Sequence, residues 1–338
     1  RGNFDGGSND GFAFTNMTIN ASGSYTGLFG YVFPTTTSST IENIDLSGTI
    51  TAKGYTGAIV GYAKGTNAER NVTIDNCHFN GSVAGSSNVG GICGYAGAYT
   101  NISNCTSAGT KITGSSTSVG GICGYSTGNA TTTNKISGCA SMSKNLRGTG
   151  NVGGIVGYAQ NTDVSYSVNA AIVNANNAVV GGIAGNVLSG ASLTECLNFI
   201  TIYEIGYIYG TNEGSDNITN CYYDSKFCVA GTANGTAKTT AEMIGLSLSS
   251  TNWTTGSGSY PKPKGIAERS ETKVACAPIT FTVSTEDNQN TRHTYNIYTT
   301  GGIEWSSPSD GDVISIAGSS VTLNTEEYSK IVMVAALD

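Results

Sequence analysis

The chain has 338 residues, a net charge of -7 and only 12% charged side chains, together with 47 glycines. It lacks the basic surface that nucleic acid requires and any apolar run of about 18 residues that could cross a membrane. Its first residues, Arg1–Phe4, do not read as a secretory signal, so we expect this sequence to be soluble as it stands.

A short glycine phrase recurs six times along the first two thirds of the chain. Its second glycine lies at Gly30, Gly61, Gly94, Gly124, Gly157 and Gly185, which gives a period of 28 to 33 residues. Three of the copies, at 91–95, 121–125 and 154–158, read Gly-Ile-x-Gly-Tyr. A fixed period of this length predicts a repeat protein in which each repeat is one structural unit.

A second phrase keeps step with the first and begins with an aliphatic residue three positions before a small or sulfur-bearing one. Its aliphatic residues are Ile41, Ile74, Ile102, Ile136, Val164, Leu193 and Ile218. The apolar runs are short and are separated by Gly or Asn, as strands and turns require, whereas helical repeats would be rich in Ala, Leu, Glu and Lys. No proline occurs between Pro34 and Pro261, which fits continuous strand pairing.

These patterns predict an all-β protein in which residues 1–265 form a parallel β-helix (solenoid) of about seven coils. Stacking places equivalent residues of successive repeats about 4.8 Å apart, so like residues form columns. Ile59, Ile92, Ile122, Ile155 and Ile183 form one expected core column. The aliphatic residues of the second phrase form another. The paired glycines allow a sharp turn or a close approach between coils.

The tyrosines of the glycine phrase form a column of their own and are the candidate ligand-contact residues. They are Tyr31, Tyr62, Tyr95, Tyr125 and Tyr158. Stacked phenol rings could seal a corner of each coil, or an exposed row could present flat apolar faces to sugar rings. Burial separates these two interpretations.

Eight of the nine cysteines lie within or just after the repeats, and we expect free thiols that act as small apolar side chains. Disulfides between coils are the alternative. The only histidines are His78 and His293, and the chain has no Cys-x-x-Cys pair. We therefore expect neither a metal site nor a cofactor.

After the repeats, the Pro-rich stretch Tyr260–Gly265 predicts a stiff linker. Residues 1–265 hold 12 basic and 13 acidic side chains, whereas residues 266–338 hold 4 and 10. Short alternating strands are predicted at 279–283, 294–298, 313–316, 320–323 and 330–334. This spacing indicates a small antiparallel β-sandwich. The stretch around Trp305, with Ser306 and Ser307, resembles a bacterial Ig-like module.

The phrase Gly27-Leu28-Phe29-Gly30 and its copies resemble the GLUG family of bacterial surface repeats over about residues 1–265. The entry strand at Gly2–Gly6 and the exit at Cys221–Asp224, Thr240–Met243 and Tyr260–Pro261 also resemble that family. The resemblance implies an exported protein at a bacterial cell surface, of a kind often described as an adhesin. It does not imply a ligand.

Three function classes compete. The first is a non-catalytic adhesin or spacer, a monomer that binds an extracellular glycan or a host surface protein. Its specificity is expected in the loops Lys64–Asn71 and Gly128–Lys135. The second is a polysaccharide lyase or hydrolase, which needs converging acid and base groups. Some large IgA-cleaving metallopeptidases also carry such repeats, but this chain has no His-Glu-x-x-His. The third is ice binding, for which the threonine array is broken.

Overall fold

A computed structural model describes residues 3–7, 13–115, 117–173, 175, 179–199, 205–214, 217–228, 231–256, 259–266, 279–284, 292–299, 313–317, 320–324 and 331–332. From residue 279 onward only the backbone is described. The chain divides into two units: residues 1–243, 248–254 and 262–267 form the first, and residues 244–247, 255–261 and 268–338 form the second. The predicted division after residue 265 stays a prediction.

The first unit is a parallel β-solenoid built from four sheets, each strand pairing with its equivalent one coil later. The first sheet contains Phe4–Asp5, Ser39–Glu42, Val72–Asp75, Thr100–Ser103, Asn134–Ser137, Thr162–Ser165, Ser192–Thr194 and Ile218–Thr219. The second contains Ala13–Asn20, Asp45–Thr51, His78–Gly85, Thr106–Ser107, Ala140–Ser141, Val168–Asn169, Leu197–Asn198, Tyr222–Asp224 and Thr236–Lys238. Two further strands belong to this sheet: Lys111–Gly114 pairs with His78–Gly85, and Leu146–Arg147 pairs with Lys111–Gly114.

The third and fourth sheets carry the glycine phrase. The third contains Tyr25–Thr26, Tyr55–Gly57, Val89–Gly90, Ser118–Gly120, Asn151–Gly153, Val179–Gly181, Ile205–Gly206 and Gly231–Thr232. The fourth contains Phe29–Val32, Val60–Ala63, Cys93–Ala96, Cys123–Thr127, Val156–Gln160, Ala184–Val187 and Tyr209–Asn212. Sheets of seven and eight described strands agree with the predicted solenoid of about seven coils.

The core follows the predicted aliphatic columns. Ile59, Ile92, Ile122, Ile155 and Ile183 are all fully buried. Ile102 and Ile136 of the second phrase are also fully buried and pair in register across the first sheet. The repeat period is therefore the spacing that stacks one coil's apolar face on the next.

The second phrase ends each first-sheet strand with a left-handed turn. The residue after the strand has a positive φ in seven coils: Asn43, Asn76, Asn104, Gly138, Tyr166, Glu195 and Asn220 lie between +45° and +63°. Asn and Gly tolerate this conformation better than other residues. The turn therefore explains why Asn or Gly recurs there, and Tyr166 and Glu195 are the exceptions.

The cysteine that follows this turn has a structural role. The thiol of Cys105 donates to the carbonyl of Ser103, 3.1 Å away, and the hydroxyl of Ser167 makes the equivalent bond to Ser165 at 2.8 Å. The eight cysteines that the structure describes are buried free thiols. Their small size fits the stacked core. The S–H groups of the five cysteines that follow the turn each engage the carbonyl two residues earlier, at the end of the strand: Cys77, Cys105, Cys139, Cys196 and Cys221.

Polar side chains form an additional column inside the solenoid. Ser107, Ser141, Asn169 and Asn198 are fully buried. They lie against glycines: a Cβ on Gly121 would come within 1.9 Å of Ser141 Oγ, and one on Gly182 within 2.2 Å of Asn198 Nδ2. Asn169 donates to Asn198 over 2.8 Å. The glycines of the phrase thus serve close approach, as predicted, and they do not have the positive φ that a sharp turn would need.

The segment after the last coil packs as ordered structure. Its short helix, Thr240–Ile244, begins at a capping box in which Thr239 and Glu242 exchange hydrogen bonds. Trp253 is buried, and its indole donates to Glu195 over 3.1 Å. Among the described residues, no helix has the length and apolarity needed to cross a bilayer.

The predicted linker at Tyr260–Gly265 is wrong. Ser259–Pro263 is a strand that pairs with Trp253–Gly256, and Tyr260 and Lys262 are buried. Prolines are tolerated at strand edges, and two prolines separated by one residue occupy the same edge of a strand. The other edge remains free to pair, so a Pro-rich composition does not exclude a strand here.

The second unit contains five described strands outside this pair. Ile279–Ser284 and Arg292–Thr299 pair antiparallel, as do Tyr298 and Thr299 with Ile331–Val332. Val313–Ala317 and Ser320–Asn324 form an antiparallel hairpin. The predicted strand positions agree with these ranges. The Ig-like assignment stays a prediction, because Trp305, Ser306 and Ser307 lie outside the described residues.

Candidate functional site

The five predicted tyrosines stand next to one another on the outside of the fourth sheet. We call Tyr31, Tyr62, Tyr95, Tyr125 and Tyr158 the aromatic row. Their residues pair in register from coil to coil. Neighbouring ring centroids are 4.9, 4.8, 5.0 and 4.2 Å apart in chain order. The row therefore spans five coils without interruption.

Ring orientation divides the row into two stacks. Tyr31 and Tyr62 are nearly parallel, at 20°, and Tyr95, Tyr125 and Tyr158 are parallel within about 10°. Tyr62 and Tyr95 meet at 84°. Tyr55, from the third sheet, stacks on Tyr95 with centroids 5.0 Å apart. The row therefore changes direction between Tyr62 and Tyr95, where Tyr55 packs against both rings.

Exposure differs along the row. Tyr31 is 49% exposed, whereas the other four tyrosines are half-buried. Within each stack the flat faces cover one another, so the inner members present mainly edges and hydroxyls to solvent. The interpretation that every ring offers a flat face to a sugar does not fit this geometry. The best available faces lie at the first coil.

Burial also changes the acidity of these phenols. Desolvation, and then the neighbouring phenols of Tyr95 and Tyr31, raise the pKa of Tyr62 to about 12. Desolvation and the hydrogen-bonded Tyr158 raise the pKa of Tyr125 well above its ordinary value. Tyr62 and Tyr125 are consequently neutral at physiological pH and offer no ionised group to attract a charged ligand.

A cavity of about 260 Å³ opens at the first coil. Its inner lining includes Phe4 and Phe29, whose rings meet edge to face at 5.3 Å. Tyr31 and Phe33 also line it and are stacked at 9°, with centroids 5.8 Å apart. The loop after Phe33 contributes Thr35, Thr36 and Thr37, all exposed. We call this space the first-coil cavity.

The two predicted specificity loops lie at the corner between the fourth and first sheets. Each contains a tight turn closed by a bridge, Asn67 with Arg70 and Asn129 with Thr132. The second loop is shorter than predicted, because Asn134 and Lys135 belong to a strand. The side chain of Asn134 is buried and donates to the carbonyls of Ala96 and Gly97.

Groups that could support acid–base chemistry have structural partners. Buried His78 lies 2.5 Å from the hydroxyl of Thr106 through Nδ1. Asp75 accepts hydrogen bonds from Ser103 and Asn104, and Asp163 accepts them from Thr133 and Ser192. Across the described residues no group of three or more His, Cys, Asp or Glu side chains is placed to hold a metal ion.

Comparison with known proteins supports the repeat assignment and the fold. Residues 85–113 match the GLUG motif. A crystal structure of a Bacteroides ovatus protein, provisionally designated an immunoglobulin A1 protease, is 22% identical with a TM-score of 0.50, covering 78% of this chain and 77% of that one. At this identity the similarity concerns the fold alone. No curated protein matches the chain.

Proposed function

We propose that this is a non-catalytic binding protein of the bacterial cell surface, which attaches to an extracellular glycan or host surface protein. The observation that carries the proposal is the aromatic row with its more exposed end at the first coil. Exposed aromatic rings that gather in one place mark interaction sites. The GLUG motif, found in surface repeats, supports the same assignment.

The loops at the edge of the row are a second part of the proposed contact surface. Ala68, Glu69, Ala130, Thr131 and Thr132 are exposed at their tips. Loops on a rigid scaffold often carry binding residues, because their side chains do not support the core. Here the solenoid is the scaffold, and the tips lie outside its strands.

An enzyme built on the same fold is the competing function. The designation of the Bacteroides ovatus protein names a protease, and β-helices also serve as scaffolds for polysaccharide lyases. Against this, Asp75 and Asp163 are engaged in hydrogen bonds between coils and are separated along the stack. Acid–base catalysis on a sugar requires two carboxyl groups that flank one bond.

The test uses the intact protein on an array of glycans and extracellular-matrix proteins, with turnover assays on polysaccharides and on immunoglobulin A1. We expect binding without turnover. Replacing residues 67–69 and 130–132 by Gly and Ser should weaken binding and leave the melting temperature nearly unchanged. Turnover that Asp75→Asn or Asp163→Asn abolishes would establish the enzyme instead.

A further inference from the structure

Three large apolar side chains are more than 40% exposed among the described residues, and all three lie at the first coil. They are Tyr25, Tyr31 and Phe33. Tyr31 and Phe33 also line the first-coil cavity. We infer that this cavity binds one neutral pyranose ring at the end of a glycan. The inference rests on the proposed binding function and names its ligand class and its position.

The size of the cavity limits the occupant. Pockets for drug-sized ligands have volumes of roughly 300–1,000 Å³. At about 260 Å³ the first-coil cavity lies just below that range. It therefore suits one sugar ring, with the rest of the glycan outside the mouth.

The lining excludes a charged ligand more strongly than a neutral one. Among the residues that the structure describes, the lining contains no Asp, Glu, Lys, Arg or His, and its only titratable group is the phenol of Tyr31. Desolvation and nearby Tyr25 raise the pKa of that phenol, so it stays neutral. A buried ion would have no partner here, and an unpaired ion in such a site is costly.

Apolar and hydroxyl groups are combined in the way that a sugar requires. The ring of Phe33, which stacks on Tyr31, offers apolar surface for the C–H face of a pyranose. Thr35, Thr36 and Thr37 carry hydroxyls to which none of the described residues hydrogen-bonds, and Ser39 adds another polar group to the lining. A sugar has one apolar face and a rim of hydroxyls, so it can engage both sets at once.

The site is held in shape before a ligand arrives. The hydroxyl of Thr66, in the second coil, donates to the carbonyl of Pro34 over 3.1 Å. Pro34 is buried and has a fixed φ, which limits the loop that carries Phe33. The Tyr31 ring is held between Phe33 and Tyr62. Preorganisation of this kind reduces the entropy lost on binding.

The experiment titrates the intact protein with methyl glycosides of galactose, glucose, mannose, N-acetylglucosamine and fucose. Saturation-transfer NMR and tyrosine fluorescence detect binding, and N-acetylneuraminic acid serves as a charged probe. We expect at least one neutral glycoside to bind and the charged sugar to bind more weakly. Phe33→Ala should weaken binding roughly three- to tenfold, as expected for the loss of one aromatic contact.

Tyr222→Ala is the matched control, because it removes a half-buried ring from the second sheet, outside the aromatic row and the first-coil cavity. We expect it to leave the affinity for the glycoside within about twofold, whereas Thr36→Val should lower that affinity without changing the melting temperature. If Phe33→Ala and Tyr222→Ala have equal effects, the cavity is not the site. Glycan binding on the array with no response to any neutral glycoside would overturn this inference and leave the proposed function standing. Absence of all glycan and protein binding would overturn both.

Discussion

Asn76 provides a direct test of the left-handed turn that ends each first-sheet strand. Its φ is +45°, and its side-chain amide donates to Asn43 Oδ1 over 2.7 Å. Asn76→Ala removes this hydrogen bond, worth about 1 kcal/mol, and leaves alanine in a left-handed conformation that costs roughly 1–2 kcal/mol and that Asn tolerates through local side-chain hydrogen bonds. Asn76→Gly loses the same bond but tolerates the conformation, at an entropic cost of about 0.5–1 kcal/mol.

We therefore expect Asn76→Gly to be more stable than Asn76→Ala by about 0.5–1 kcal/mol. For a domain of this size that difference corresponds to roughly 1–4 °C in melting temperature. Thermal melts followed by circular dichroism measure it. Gly138, which occupies the same position two coils later with φ +63°, shows that the site accepts glycine.

Thr73 is the matched control position. It lies in the strand that precedes the same turn and is half-buried, and its φ is not positive. There we expect the opposite order, with Thr73→Ala more stable than Thr73→Gly, because glycine weakens a strand interior. If alanine is the more stable replacement at both positions, the left-handed turn does not determine the residue at Asn76, and our explanation of the second phrase is wrong.

Three further predictions concern the core, the thiols and the phenols. Ile122→Asp should destabilise the solenoid by more than about 4 kcal/mol, because it buries an unpaired charge, while Ile122→Val should cost about 0.5–1.5 kcal/mol. Equal melting temperatures for the two variants would contradict the inward-facing column. Burial raises the pKa of the Cys93, Cys105 and Cys196 thiols, so their alkylation at pH 8 should be slow in the native protein and rapid in denaturant. Rapid labelling of the native protein would show instead that these cysteines are accessible. Because the pKa of Tyr62 is about 12 in the folded protein and its ordinary value is 10, the free energy of unfolding should be unaffected by this group below pH 10 and fall as the pH rises from 10 to 12. Denaturant titrations at several pH values measure this fall, which Tyr62→Phe should reduce.

The sequence predicted the parts of the fold that depend on periodicity alone. Ile102, Ile122 and their equivalents were placed in the core because a constant period stacks like residues, and they are fully buried. Parallel pairing followed from the same reasoning. The described strands of the C-terminal region also lie where alternation of apolar and polar residues predicted them.

The interior polar column was not predicted, and its residue types explain why. Ser107 and Asn169 read as surface residues in a chain rich in Ser and Asn. They are buried because the opposing position of the coil is a glycine, as at Gly91 and Gly154, so a polar side chain fills space that a Cβ would otherwise need. A signal was present in the sequence: the doubled glycine at 90–91 and 120–121 indicates a missing side chain inside each coil as well as close approach between coils.

The candidate site was predicted in its members but not in its geometry. Spacing placed Tyr31 and Tyr125 at equivalent positions, and the structure stacks them in one row. Spacing could not show that Tyr55, a ring from the third sheet, would pack against the row where its direction changes. The resulting exposure depends on these neighbours.

The first coil is also where the repeat departs from its own pattern. Thr26 pairs with Thr56 and Phe29 with Val60, so the first coil has one residue fewer between these positions than the second. It is followed by Phe33 and Pro34 where the later coils have no aromatic residue or proline. Inner coils must match neighbours on both sides, which commits their columns to stacking. Tyr25, Tyr31 and Phe33 of the first coil are each more than 40% exposed, so their rings retain surface for a ligand, and the proposed binding site lies where the repeat departs from its own pattern.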